Sequence, residues 1–543
     1  MQVETKTGLE WLTFPFLLES NARRYPNKEA VVDYTYNKRF TYREAWLRSN
    51  RVANALLNLG VKDGDKVAYL CYNVEEAFHI IFGVTSIRAL FVPLNFRLML
   101  HQWVAEVNHS DAVVLICQDS LCGQIDPGRA DIPKVKHYIA FGENVPPNWL
   151  NFEELLAKAS DEAPAVEVRH NDLASVSYTA GTTGEPKGVL NTHSSWIGYG
   201  LGQAMCLRLG PDAKCWTFMD MIHRGGIYTT MSAMVVGGTV VYLERLDASK
   251  SFQMIYREKV NAIYGAFAFM WAALPEDERS KYDMSHMKHF WVGAPTWSPA
   301  WGGFAGASAT TILPQEMLNQ LRTLFPNVEY DGSFLSTEGQ FTLLSMAEMW
   351  ALPTGDAWEG QAHHGTQLMI TDLEGKKELS DGESGLIWSR GMGSLDGFYK
   401  GKELEETMMK PGGWFTSEDM GYIDPKSKML VFTGRAKDIV RSGGENVPVV
   451  PVELAIKENP KIANCGVIGT PHPQLGETVT AVVELKPGET MTEEELIEYC
   501  RPKLPGPWRP RRVEFVEKMP IVGFKEMVDK KLLKAQLAKK YKG

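Results

Sequence analysis

No stretch of this 543-residue chain is apolar for long enough to span a bilayer, and no basic leader precedes an apolar segment after Met1-Gln2-Val3-Glu4-Thr5-Lys6. The best candidate, Ala233 to Leu243, is interrupted by Gly237-Gly238 and reads as two short strands around a turn. A chain with no transmembrane segment and a cytoplasmic location is the expectation. Cysteine is also sparse: the seven residues are odd in number, scattered, and never in a Cys-x-x-Cys pair. That pattern excludes a disulfide framework and a cysteine-built zinc site, and suits reduced thiols. Nor is there an excess of basic charge. With 57 basic against 66 acidic residues the net charge is −9, which argues against a nucleic-acid partner. Internal repeats and low-complexity tracts are absent as well.

What is present is a soluble composition, 44% hydrophobic and 23% charged, in a chain too long for one core, so two or more domains are expected. Phe40-Thr41-Tyr42 opens a helical run through Leu57, followed by a turn cluster at Gly60 to Asp65 and a strand from Lys66 to Cys71. A helix from Val74 to Arg88 and a strand from Ala89 to Leu94 follow, and the alternation continues to about residue 280. This predicts an α/β fold class: a large N-terminal domain of mostly parallel sheets flanked by helices. Near Gly413 the composition changes. After the strand Met429 to Thr433 and the run Gly434-Arg435-Ala436-Lys437-Asp438, strands at Cys465–Ile468 and Thr478–Leu485 predict a small α+β domain. The lysine-rich end, Lys525 to Lys542, reads as a solvated helix face.

The most informative segment is Tyr178-Thr179-Ala180-Gly181-Thr182-Thr183-Gly184-Glu185-Pro186-Lys187-Gly188-Val189. Glycines let main-chain N–H groups approach phosphate oxygens, threonine hydroxyls add short donors, and Lys187 adds a point charge. The spacing is not that of the usual P-loop, because Gly188 and Val189 follow the lysine where a magnesium-binding hydroxyl would stand. Continued through Thr192-His193, the run resembles the ATP-binding loop of the adenylate-forming superfamily, which includes acyl-CoA synthetases, luciferases and peptide-synthetase adenylation domains. The resemblance extends, motif by motif, from Phe91-Val92-Pro93-Leu94-Asn95 to Gly469-Thr470-Pro471-His472-Pro473-Gln474-Leu475-Gly476-Glu477.

That resemblance implies a set of site residues. Thr179, Gly181, Thr182, Thr183, Gly184 and Lys187 would wrap the ATP phosphates. Phe334-Leu335-Ser336-Thr337-Glu338 is similar to the family's Tyr-Gly-x-Thr-Glu motif, in which the ring of Phe334 would stack near adenine, Thr337 would contact phosphate and Glu338 would coordinate Mg2+. Leu335 stands where the family has glycine, a change at the floor of the acyl pocket. Gly293-Ala294-Pro295 and Asp331-Gly332-Ser333 resemble adenine-lining segments, and the longer-than-usual stretch Thr296 to Thr311 between them reads as a surface loop or a piece of the acyl pocket. Asp419, in Gly413-Trp414-Phe415-Thr416-Ser417-Glu418-Asp419, matches the aspartate that binds the ribose hydroxyls; Ser417-Glu418 replaces the usual Thr-Gly. Arg435 matches the arginine that joins it, since a carboxylate and a guanidinium suit a cis-diol and a nearby phosphate.

Lys437 occupies the family's hinge position. The implied organisation is a large domain at 1–433, a hinge at 434–438 and a mobile small domain at 439–543. Gly443 and Gly444 would border the pantetheine tunnel of coenzyme A. His223 resembles the histidine of the acyl-pocket motif, and Arg224 stands where amino-acid-activating relatives have an aspartate, which argues against amino-acid activation. Trp291, Trp297 and Phe267 are further candidates to shape that pocket. The C-terminal catalytic lysine is assigned to Lys525 from Gly523-Phe524-Lys525, while alignment on the following helix would put Met527 there, a residue that supplies no charge.

The activity implied is an AMP-forming carboxylate–CoA ligase using ATP, Mg2+ and coenzyme A on a small-molecule carboxylic acid, with Lys187, Thr337, Glu338 and Lys525 catalytic. Two alternatives stay open: transfer of the acyl group to a carrier protein, and a nucleotide-binding relative without turnover. A homodimer is left open, as is the acid used.

Overall fold

Apolar runs rich in valine, leucine and isoleucine become strands buried on both faces, as parallel sheets require. The computed structural model describes residues 12–178, 186–217, 219–264, 274–291, 296–298, 303–305, 323, 325, 328–332, 342–345, 358–443, 445–522 and 527–541. Lys66–Leu70 lies between Leu90–Pro93 and Ala112–Gln118, all parallel. The sheet continues through His137–Phe141 to Leu150–Asn151 on one side. On the other it continues through Leu173–Tyr178, then turns antiparallel at Gly188–Thr192 and Gly397–Tyr399. A second sheet has the parallel core Glu29–Asp33, Thr239–Tyr242, Lys214–Thr217, Ala262–Tyr264, His289–Trp291 and Glu329–Gly332. From Thr342–Ser345 onward it is extended antiparallel, through Trp358–Ala362 and Leu430–Arg435 to Asp419–Ile423. This extension was not part of the expected mostly parallel sheets.

Two helices, Glu75–Thr85 and Arg224–Val235, are buried nearly all round, as befits helices enclosed within a core. Arg224–Val235 packs on His193–Cys206. Close approach there depends on Gly200, where a Cβ would stand 2.7 Å from Met231 Cβ. The helix Tyr42–Asn58 begins at Thr41 with a reciprocal capping box to Glu44, an arrangement in which the cap is worth about 1 kcal/mol.

The reading of Ala233 to Leu243 as two strands is half corrected. Ala233 to Val235 end the Arg224–Val235 helix, and only Thr239–Tyr242 is a strand. The helical face continues unbroken into Ala233-Met234, and Gly237 at φ +68 turns the chain. All seven cysteines are buried and free. Among the described residues no helix is long and apolar enough to cross a membrane.

The small C-terminal domain is built on the hairpin of Ile462–His472 and Gly476–Leu485. Val440–Ser442, paired with Glu445–Val447, flanks it, and Arg512–Val516 adds in parallel. The helix Lys530–Lys540 buries Leu533 and leaves most of its lysines toward solvent.

Candidate active site

The parallel core of the second sheet determines where the site forms, because ligands of open α/β sheets bind beyond the carboxyl ends of parallel strands. His289–Trp291 pairs with Glu329–Gly332, with Trp291 opposite Asp331. The segments expected to line adenine therefore leave neighbouring strands at the same end. Ala262–Tyr264 and Lys214–Thr217 end beside them, the latter leading to Met221 and His223. Gly293, Ala294, Pro295, Ser333, Phe334, Thr337, Glu338 and Phe267 lie outside the described residues, as do Thr179, Gly181, Thr182, Thr183, Gly184, Gly444 and Lys525. For Asp331, Gly332, Trp291, Trp297 and Met527 the backbone alone is described. Within the stretch 296–311, Thr296–Ser298 and Gly303–Ala305 pair as an antiparallel ladder.

The phosphate loop is anchored at both ends. Tyr178 and Gly188 face each other in the antiparallel ladder, and Gly188 also pairs with Tyr399. The Tyr178 hydroxyl lies 2.9 Å from His109 Nδ1, and the Tyr399 hydroxyl donates to Asp111 Oδ2 at 2.7 Å. Burial would raise the Asp111 carboxyl, but hydrogen bonds from Lys134, Lys400 and Tyr399 hold it well below the usual range. The helix Leu100–Ser110 and its αL cap Asp111 thus hold Leu173–Tyr178 directly and Gly188–Thr192 through its partner strand Gly397–Tyr399.

Asp419 and Arg435 face each other across an antiparallel pair. Arg435 Nε donates to Asp419 Oδ1 at 3.2 Å and Ser417 Oγ donates to Oδ2 at 2.5 Å. The carboxylate is buried while the guanidinium is 41% exposed, so the pair presents its cationic side outward. Glu418 sits at φ +62, a left-handed conformation that glycine adopts at least cost, which explains why the family's motif has glycine there. Lys437 follows in a short 3-10 turn, Ala436–Asp438. Burial first, and then Arg435, lower its ammonium from the ordinary range, and Lys187 adds to the effect. Lys187, Arg435 and Lys437 therefore share one electrostatic neighbourhood, where a polyphosphate would neutralise them. Gly443, at φ +60, closes the turn after Val440–Ser442 and donates to Leu475 O at 3.0 Å.

His223 is the N-cap of Arg224–Val235, and its carbonyl accepts from Gly226 N at 3.1 Å. Arg224 turns into protein: its guanidinium donates to Gly393 O at 2.5 Å, reaches Asn191 Oδ1 at 3.4 Å and lies over the Trp196 and Tyr199 rings. His223 instead borders a small, partly open cavity of about 30 Å³ shared with Asn95, Leu98, Glu106, Tyr178 and Ile222. Glu106 lines this cavity and is a residue that the sequence reading passed over. The signal was available: Trp103, Glu106, Val107 and Ser110 form the buried stripe of the Leu100–Ser110 helix, and a glutamate on such a stripe is out of place unless it has a task.

Comparison with known proteins agrees with this geometry. Residues 18–399 match the AMP-binding enzyme family, and residues 451–523 match the AMP-binding enzyme C-terminal domain. A putative acyl-CoA synthetase of Bacillus subtilis is 25% identical, with 93% of each chain covered. A long-chain-fatty-acid–CoA ligase of Mycobacterium tuberculosis is 27% identical over 93% of this chain and 95% of its own. Among solved structures, a fatty acyl CoA synthetase of Mycobacterium tuberculosis aligns with a TM-score of 0.76 at 25% identity, covering 97% of this chain and 99% of its own. An anthranilate CoA ligase in complex with anthranoyl-AMP aligns at 0.79 and 22% identity, covering 98% and 99%, and shares the fold. The chain belongs to the AMP-binding enzyme family, and within the adenylate-forming superfamily it is of the acyl-CoA synthetase type.

Proposed function

We propose that the chain performs a two-step ligation in which the residues named above divide the work. In the first step a carboxylate oxygen attacks the α-phosphorus of ATP, an acyl-phosphate bond forms and pyrophosphate leaves. Two anions must meet, so the site has to neutralise charge and hold both groups in line. Lys187 on the anchored loop, Thr337 and Lys525 would do this at the phosphates, with Asp419 binding the ribose diol and Arg435 beside it. Gly293, Ala294, Pro295, Asp331, Gly332, Ser333 and Phe334 would line adenine. Mg2+ at Glu338 would supply further neutralisation of the triphosphate.

In the second step the coenzyme A sulfur attacks the acyl carbonyl and AMP departs. Lys437 would act as the hinge that turns the small domain between steps, with the boundaries 1–433, 434–438 and 439–543. Gly443 and Gly444 would then admit the pantetheine chain. His223 and Arg224 belong to the acyl side, His223 at the cavity wall and Arg224 as its buried brace. A cytoplasmic location and a small-molecule acid as the main partner complete the reading.

The observation that carries it is the convergence of Lys187, Lys437 and the Asp419–Arg435 pair. The relatives' titles name 4-hydroxybutyrate, indoleacetate and benzoate as well as long-chain fatty acids, so the acid depends on this chain's own pocket lining. The test is incubation with Mg-ATP and a panel of acids, with and without coenzyme A, following pyrophosphate and AMP separately. Acid-dependent pyrophosphate with AMP release only when coenzyme A is present is expected. Pyrophosphate formation indifferent to coenzyme A would overturn the second step.

A further inference from the structure

The cavity beside His223 holds a polar group that none of the described residues satisfies. Glu106 is 7% exposed. Among the described residues its Oε2 has no hydrogen-bond partner, and no ion pair reaches it. The Tyr178 hydroxyl, which shares the cavity, is engaged with His109. Asn95 Oδ1 accepts from Arg97 N at 3.0 Å. Burial pushes the Glu106 carboxyl up to about 8, so near neutral pH it is a protonated acid with one donor and one acceptor. An unsatisfied buried polar group costs about 1–3 kcal/mol. Among the described residues other buried polar atoms, Glu75 Oε2 among them, are also without a hydrogen bond, but Glu106 borders a cavity through which a ligand can reach it.

The position of the cavity limits what the ligand is. One wall is Ile222-His223, leading into the Arg224–Val235 helix, and another is Tyr178, from which the phosphate loop departs. A substituent of a bound acid is therefore the group that would enter. A volume of about 30 Å³ suits a substituent of a few atoms rather than the body of the acid. That excludes an aromatic ring. A second carboxylate would carry charge into a partly enclosed site beside a buried acid, at a desolvation cost. A methyl group would fill space and leave Oε2 unsatisfied. A hydroxyl fits both requirements, because it donates to the carboxyl C=O and accepts from its O–H.

We propose that Glu106 is a specificity-determining residue that receives a hydroxyl group of the acid substrate, which makes hydroxy acids the preferred substrate class. This rests on the synthetase reading and on His223 bordering the acyl side.

The test uses the full chain with Mg-ATP and coenzyme A. Butyrate is paired with its 3- and 4-hydroxy analogues, and benzoate with the three hydroxybenzoates, and kcat/KM is measured for each. The wild type is expected to prefer the hydroxy acid by about tenfold or more in at least one pair, because a site built to hydrogen-bond a hydroxyl discriminates strongly against the analogue lacking it. Glu106→Leu should remove that preference, mainly through KM of the hydroxy acid. Glu106→Gln, which keeps a donor and an acceptor, should restore it to within about threefold of wild type. A wild type that favours the unsubstituted acid in every pair overturns the proposal, as does an unchanged ratio in Glu106→Leu. If Glu106→Leu does not fold, the wild-type ratio and Glu106→Gln decide. Absence of coenzyme A-dependent AMP release with every acid, hydroxylated or not, would instead remove the synthetase reading, and the inference with it.

Discussion

Glu75 and Glu106 are both buried glutamates on helices of the N-terminal scaffold, and burial pushes both carboxyls up to about 8. Among the described residues no hydrogen bond reaches Oε2 of either, yet only Glu75 is paired with cations. Glu75 is fully buried at the start of Glu75–Thr85, and its carboxylate meets Lys38 Nζ at 2.9 Å, Arg48 Nη2 at 3.5 Å and His79 Nε2 at 3.3 Å. Its backbone N–H donates to Asp33 Oδ2 at 3.1 Å. Lys38 also holds Glu76 at 2.6 Å, and Arg48 holds Glu153 at 2.5 Å. Burial, and then the Glu76 charge, still keep Glu75 above the usual carboxylate range. Among the described residues Glu106 has no such cations, and it borders a cavity instead. A buried acid wrapped in cations belongs to the scaffold. One left facing a cavity in the same scaffold is available to a ligand.

The largest way to break the contrast is to remove the cations from the first acid. Lys38→Met would leave Glu75 and Glu76 buried with Arg48 alone. Lys38 is 40% exposed, so water screens the pair and removing it costs about 2 kcal/mol rather than the full buried-pair figure, and denaturant unfolding should show a loss of that order. A loss below about 1 kcal/mol would mean that the acids do not depend on Lys38. A third buried acid sharpens the comparison, since Asp419 is paired with Arg435 and has a proposed ligand as well. Asp419→Asn keeps the volume but weakens bonds to the ribose hydroxyls and to Arg435. KM for ATP should rise about 30-fold, equivalent to about 2 kcal/mol, while the melting temperature moves little. An unchanged KM would detach Asp419 from the nucleotide.

These contrasts also show which parts of the molecule could be read in the chain. Elements set by periodicity and local capping were legible: the helix through Leu57 is Tyr42–Asn58, and the strands around Lys66 and Ala89 fall within a residue or two of expectation. Asp419 and Arg435 were legible as motif residues, and they meet because their strands pair in register. The Ala233 region was misread because an apolar run carries the same residues in a buried helix as in a buried strand. Glu106 was missed for a different reason. A single acid on an apolar stripe carries no motif, and its lack of a cation emerges only when the neighbouring strand, the Tyr178 stem and the His223 cap close around it.

The effect that is smallest per pH unit tests the second acid without any ligand. In the folded chain Glu106 keeps its proton up to about pH 8, whereas in the unfolded chain it releases it near the ordinary glutamate value of about 4.3. Between these values the unfolded state binds fewer protons than the native state, so unfolding releases a proton and stability falls as pH rises. The limit for one proton is about 1.4 kcal/mol per pH unit, and partial relaxation of the site should leave about 1. Glu106→Leu abolishes this contribution. Its stability should be close to that of wild type near pH 5, with the mutant pulling ahead by about 1 kcal/mol per unit up to pH 8. Parallel profiles for the two proteins would mean that Glu106 ionises freely in the native state. The cavity would then contain a carboxylate, and the hydroxyl assigned to it would have to be a donor alone.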